Sequence, residues 1–234
     1  MESELESLTD EKIPGSAATV VLLRDGELGV EVLLAERPHD RGSYAGAWVF
    51  PGGAVDPADA EGTADPLDVA RNAAVRETRE EVGLVLDRDE LVPFSLWTPP
   101  KGAPKQLRTT FFAVRMPDGE IRPAPDEVAA VAWLRPTDAL QRHAAGRMTL
   151  WPPTWVTLHG LAHAASVDGA LAELRRGEVR PYVARRSPDG AMVLWQEDDE
   201  YEAEVPGSAG VDAAGARRHR LVMDRLPWVY LHRF

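Results

Sequence analysis

The 234-residue chain contains no cysteine, which excludes disulfides, thiolate-held zinc and a cysteine nucleophile. Lysine is almost missing too: Lys12, Lys101 and Lys105 are the only three, and two of them share one loop. No stretch approaches the length of a membrane span, and residues 1–15 are acidic and polar, with no basic region leading into an apolar run. The expectation is a cytoplasmic protein with a flexible N-terminus and no membrane contact. Positive charge is scarce overall. At a net charge of −12 there is no basic stripe to displace counterions, so nucleic acid is not the expected partner. A small anionic substrate stays compatible, because a bound cation and a few placed arginines reverse the field locally.

What the chain does have is carboxylate, concentrated in Arg76-Glu77-Thr78-Arg79-Glu80-Glu81-Val82-Gly83-Leu84. On a helix Glu77, Glu80 and Glu81 stand at i, i+3 and i+4 and share one face. Clustered anions are costly unless a cation sits among them, and an oxygen-only donor set suits Mg²⁺ or Mn²⁺. Arg76 lies four residues before Glu80, within reach of pairing with it. A solvated acidic face is the plain alternative.

The surrounding pattern places this run. Residues 17–36 read as a hairpin turning at Asp25-Gly26, and Trp48-Val49-Phe50 as a short strand stopped by Pro51-Gly52-Gly53. Residues 54–65 read as a mobile loop. Asp65 as N-cap, Pro66 at the first helical position and Asp68 three residues after the cap start a helix that Gly83 ends. Strands are expected near 91–96, 107–115 and 128–134, and helices over 136–143, 154–164 and 167–176. Two alternating segments follow, 191–195 and 219–232, separated by a long surface loop over 196–216. With 44% hydrophobic residues the chain can bury a sizeable core as an α/β sandwich around a mixed sheet. The expected division is 1–15, then a domain over 16–149, then an appended α+β lobe over 150–234 packed on it. That lobe is a homodimer interface or a lid.

With Pro51-Gly52-Gly53 upstream, the acidic run resembles the signature of the Nudix hydrolases, G-x5-E-x7-R-E-U-x-E-E-x-G-U. Its second half matches at every fixed position, with Thr78 in the place of the first bulky residue. Arg76 lies 23 residues after Gly53, against 14 in the signature, so the loop carries nine extra residues. Gly62 has the right spacing but puts Asp68 where the signature wants glutamate. Gly53 with an insertion is preferred, and Asp68 is then read as a capping carboxylate.

The resemblance implies an α/β/α Nudix sandwich, with a divalent metal, that hydrolyses a nucleoside diphosphate linked to a group X. It implies Glu77, Glu80 and Glu81 as metal ligands, with Glu77 as ligand or base and Arg76 as an orienting group. It implies Gly52 and Gly53 as a backbone open to phosphate, and Glu127 as a further acid, or else a solvated one. Leu33-Leu34-Ala35-Glu36-Arg37, then Gly46, then Phe50-Pro51-Gly52-Gly53 partly resembles the motif of the CoA diphosphatase branch. Ala35 and Pro38 depart from it, and Arg41 falls one position early. On that resemblance X is CoA or acyl-CoA. Arg37, Lys101, Lys105 and Arg108 would bind the small nucleotide substrate, and Trp97 would stack a purine or pack in the core. ADP-ribose, NADH, dinucleotides and oxidised nucleotides are the alternative substrates. A non-catalytic nucleotide sensor is the alternative class, although sensors of this kind typically lose carboxylates that this chain keeps.

Overall fold

The computed structural model describes residues 15–42, 44–205 and 215–233. Strands β1 (Gly15–Gly26) and β2 (Gly29–Glu36) form the expected hairpin, but it turns at Glu27-Leu28 and not at Asp25-Gly26, which still pair with Val30 and Gly29. After β3 (Trp48–Val49) and β4 (Gly52–Ala54) comes helix α1 (Pro66–Val82). The Asp65 side chain caps α1 through the Leu67 amide, and Gly83 closes it in the left-handed region at φ 76°. Asp68 caps nothing. It pairs with Arg71 at 3.1 Å and with Arg88 at 2.8 Å, tying the helix to the segment that follows it.

Strands β5 (Val92–Thr98), β6 (Leu107–Arg115) and β7 (Ala130–Leu134) complete the predicted set. The sheet runs β3-β2-β1-β6-β5, with β4 also paired to β1 and β7 to β2. It is mixed, since β1 and β6 are parallel and the other pairs named so far are antiparallel. Alternation along β1 splits the core in two. Ala18, Val20 and Leu22 face Ala70, Ala73 and Ala74 of α1, while Val21 and Leu23 face the other layer. That second layer is built by α2 (Pro136–Ala144), α3 (Pro152–Leu161) and α4 (Val167–Arg176). The fold is therefore the expected α/β/α sandwich.

Beyond residue 150 the chain also adds β8 (Arg180–Val183), which pairs in parallel with β5 and extends the main sheet. A second, antiparallel sheet follows, from β9 (Arg185–Arg186), β10 (Met192–Leu194), β11 (Arg218–Val222) and β12 (Val229–Arg233). Part of the surface loop expected over 196–216 is not on the surface; residues 206–214 of it lie outside the described residues. Asp198 and Glu200 are buried, and they pair with Arg218 and Arg220 on β11. The acidic run is a counter-charge for two buried arginines. Asp198 accepts from Arg220 Nε at 2.7 Å and from the His219 amide at 2.9 Å.

Removing Asp198 would leave Arg220, which is 0% exposed, with only Glu200 as an anionic neighbour. Asp198→Ala should therefore cost about 3–5 kcal/mol of stability. Chemical denaturation of the variant checks this; a loss under about 1 kcal/mol would show that the arginines find other partners.

Candidate active site

The acidic face of α1 lies against the turn between β3 and β4, and the two glycines there are required by contact. A Cβ on Gly53 would stand 2.4 Å from the Glu77 carboxylate, and one on Gly52 would stand 2.2 Å from the Ala18 carbonyl oxygen. Gly52 also holds φ 149° and donates its N–H to Glu81 Oε2 at 2.8 Å. The approach these glycines permit is thus to the glutamates and to β1.

A second segment closes the site from the far side. The amides of Arg122 and Ala124 bond the carbonyls of Val82 and Glu81 at 2.8 Å each, and the Ala129 amide bonds Glu36 at 2.8 Å. Residues 122–129 are thereby strung between the end of α1 and the end of β2, and Glu127 hangs over the helix. Carboxylate oxygens of Glu77, Glu81 and Glu127 come within 4.8 Å of one another. Glu80 does not join this trio. Its side chain turns outward and takes Arg76 Nη1 at 2.9 Å, a consequence of the four-residue spacing that makes those two partners. Of the expected set of Glu77, Glu80 and Glu81, two converge here, and the third carboxylate beside them is Glu127.

Two ionised carboxylates at that separation repel by roughly 3 kcal/mol or more at an effective dielectric constant of ~20. Burial adds to the strain. Glu81 is 7% exposed, and burial pushes its pKa up to about 7, against the pull of the Gly52 amide and with a further push from Glu77. Burial likewise raises Glu77, while Arg76 opposes the shift. Such a set of hard oxygen donors, with Glu77 and Glu81 made costly to ionise by burial, fits a divalent cation of the Mg²⁺ or Mn²⁺ kind.

Arg76 is the organiser. Its Nε and Nη2 fork onto Asp59 at 3.0 and 2.8 Å, its Nη1 reaches Glu77 at 2.8 Å and Glu80 at 2.9 Å, and Nη2 also bonds the Ala54 carbonyl at 2.9 Å. Asp59 sits on a 3₁₀ turn, Pro57–Ala60, inside the loop read as a spacer, and is 5% exposed. Burial opposes its ionisation, but the Arg76 guanidinium and the Asp56 amide hold its carboxyl below the usual range. The sequence carried a signal for it. Asp59 stands six residues after Gly53, where the signature has its first glutamate, so the insertion falls after Asp59 and the turn before it is part of the site.

The remaining candidates divide. Arg37, at the end of β2, is close enough that its charge lowers the pKa of Glu81. Lys101 and Lys105 lie in the exposed loop before β6. Arg108 opens β6 opposite Ser16. Trp97 is not available to a substrate: its ring is 5% exposed, stacks on Tyr182 at 3.9 Å and 7°, and donates Nε1–H to Ser95 Oγ at 2.9 Å. Its core alternative is the correct one.

A NUDIX domain model matches residues 14–152. A NUDIX hydrolase from Alicyclobacillus acidocaldarius is 26% identical, with a TM-score of 0.60 over 70% of this chain and 98% of that one. A MutT NUDIX hydrolase from Burkholderia pseudomallei is 24% identical (TM-score 0.47; 62% and 95% covered). The NUDIX domain of Shewanella oneidensis NrtR, complexed with ADP ribose, is 19% identical (TM-score 0.48; 68% and 95% covered). No curated protein matches the chain. The chain belongs to the Nudix family and is a Nudix pyrophosphohydrolase. Among the described residues no helix is long and apolar enough to cross a membrane.

If Arg76 is held by Asp59, Asp59→Ala should lower stability by about 1.5–3 kcal/mol, the worth of hydrogen bonds to a charged group. It should also lower turnover, as Glu77 and Glu80 lose their anchor. Shortening residues 61–64, with Asp56, Asp59 and Asp65 kept, should leave both within a few-fold. Thermal unfolding and a hydrolysis assay on the two variants separate the cases, and equal damage by both would place the role in the whole loop.

Proposed function

We propose that this Nudix chain hydrolyses, with a divalent metal, the diphosphate of a nucleoside diphosphate linked to X, and that X is CoA or acyl-CoA. The observation that carries the hydrolytic reading is the trio Glu77, Glu81 and Glu127, converging beside Gly52 and Gly53 on a partly buried helix face. Held by these carboxylates, Mg²⁺ or Mn²⁺ would neutralise phosphate charge and acidify a bound water. The protein's own part is placement. Glu81 is aimed by the Gly52 amide, Glu77 by Arg76, and Glu127 by the strap between α1 and β2. Hydrolysis breaks one P–O bond of the diphosphate, and the water oxygen ends on phosphorus. The proton it releases passes to a carboxylate, for which Glu77 and Glu127 are the available acceptors. Arg37, which follows the end of β2 beside the strap that carries Glu127, is the residue we assign to the diphosphate oxygens.

Glu81→Gln keeps the acceptor for the Gly52 amide and removes only the charge. Turnover should fall by two to four orders of magnitude, about 3–5 kcal/mol of transition-state stabilisation, with unfolding temperature preserved. Near-normal activity in the folded variant would sink the assignment.

CoA is favoured by the partial motif around Arg37 and Gly46 and by the two loop lysines, because its ribose 3′-phosphate is an extra dianion that needs cations. The expected products are 3′,5′-ADP and 4′-phosphopantetheine, or its acyl form. Lys101→Ala with Lys105→Ala should raise KM for CoA at least several-fold more than for dephospho-CoA. Each should be assayed with Mg²⁺ or Mn²⁺ beside ADP-ribose, NADH, a diadenosine polyphosphate and an oxidised dGTP. Equal effects on the first pair would remove the lysines from the site. Hydrolysis of ADP-ribose without CoA would move the enzyme to another branch.

A further inference from the structure

The core position of Trp97 leaves the site without its expected stacking ring, and the structure supplies another. Residues 37–47, between β2 and β3, form a loop pinned at its neck, where the Arg37 amide bonds Ala47 at 2.9 Å and the Gly46 amide bonds Arg37 at 3.2 Å. From that neck the loop reaches the segment that carries Glu127. Arg41 pairs with Asp126 at 3.5 Å, next to Glu127. Three residues on, the Tyr44 carbonyl accepts from the Ala47 amide at 3.1 Å, which folds this residue back onto the neck. Arg37 follows Glu36, whose carbonyl takes the Ala129 amide at 2.8 Å, so the neck of the loop adjoins the strap that carries Glu127.

Two features of Tyr44 need a reason. Among the described residues it is the one non-glycine with positive φ, at 65°. A bulky side chain persists in that region only where its surroundings hold it, and such strain gathers at functional sites. Its ring also meets Trp151 edge-on, with centroids 4.5 Å apart and planes at 70°. Trp151 is brought there by the Ala47–Thr149 bridge and by the Trp48 amide bonding Thr149 at 2.9 Å. It keeps 39% of its surface open, whereas Trp97, Trp155 and Trp195 are all buried. An indole left open at such a place, with its edge braced, offers a flat face to a planar ligand.

We infer that Tyr44 and Trp151 form the subsite for the purine base of the substrate, with Trp151 stacking the ring, Tyr44 bracing the indole, and Arg37 bridging to the diphosphate. The inference rests on the nucleotide reading of the site and adds the residues that select a base. A nucleoside diphosphate has the shape the layout asks for, a flat aromatic group joined through a ribose to charges that belong beside Arg37 and the metal-binding trio.

The test is equilibrium binding, so that it does not depend on turnover. The probes are α,β-methylene-ADP, which resists hydrolysis, and methylenediphosphonate, which has the phosphonates and no base. Trp151→Ala should weaken α,β-methylene-ADP by about 10-fold or more and leave methylenediphosphonate within about twofold, as expected for loss of one stacking partner. Trp151→Phe should recover most of the affinity. Tyr44→Asn, which suits the left-handed backbone, should weaken the nucleotide several-fold. Unchanged nucleotide binding in Trp151→Ala, or equal weakening of both probes, overturns the inference. A wild-type protein that binds methylenediphosphonate no more weakly than α,β-methylene-ADP also overturns it, while leaving the metal-dependent chemistry standing. A fully active Glu81→Gln would do the reverse.

Discussion

The guanidinium of Arg76 is the point on which the rest of the site depends. It touches the loop after the glycine turn, through Asp59 and Ala54, and also two of the carboxylates on α1, through Glu77 and Glu80. Without it those carboxylates would be free to swing apart, and their mutual repulsion gives them reason to. The pairing explains why Glu80 stays outside the trio: its charge is spent on the arginine. It also explains how Glu77 can be partly buried next to Glu81. The cationic neighbour offsets part of the cost of its ionisation, whereas Glu81 has only a backbone amide and the more distant Arg37.

Much of this was legible in the sequence because it was local. The cap at Asp65, the proline after it and the glycine at 83 bound α1 as predicted, since capping acts within a few residues of the chain. The Arg76–Glu80 pair follows from helical spacing in the same way. What escaped the reading was set by contacts distant along the chain. Asp59 is 17 residues from Arg76, and the nine-residue insertion hid its register. Glu127 reaches the acids because amides at 122 and 124 are captured by the end of α1. The run at 197–200 looked like solvated charge because its counter-ions, Arg218 and Arg220, lie some 20 residues away. Trp97 was ambiguous for the opposite reason: a strand tryptophan has two faces to choose from, and β8, which carries the Tyr182 that stacks on it, was not predicted.

The segment beyond residue 150 takes on a different meaning once β8 is in the main sheet. Tyr182 packs on Trp97, and Trp195 packs against both rings, so the second sheet is joined to the first through stacked aromatics. The Thr149 carbonyl holds the Trp48 amide, and Trp151 follows two residues later. The same stretch of chain thus closes the neck of the 37–47 loop and opens the extension. Changes in the extension are coupled by this geometry to the rim of the site, even though none of the converging carboxylates belongs to it.

A chain with a net charge of −12 must still attract an anion. At a Debye length of about 8 Å under physiological salt, distant acidic surface is largely screened, and the local arrangement decides. Here the local arrangement is asymmetric. Arg37 follows the end of β2, and Lys101 and Lys105 lie in the loop between β5 and β6 that leads to Arg108 on β6. The carboxylates alone would repel a diphosphate, so a cation bound among them converts the repulsive side of the site into an attractive one. On this view metal and substrate bind cooperatively by charge alone, with base stacking adding the selectivity that charge lacks. On the proposed reading the two contributions are carried by different segments, the α1 face for charge and Trp151 with the 37–47 loop for stacking. One can therefore vary in sequence while the other stays constant, which is how a single hydrolytic centre can serve substrates that differ in everything except the diphosphate.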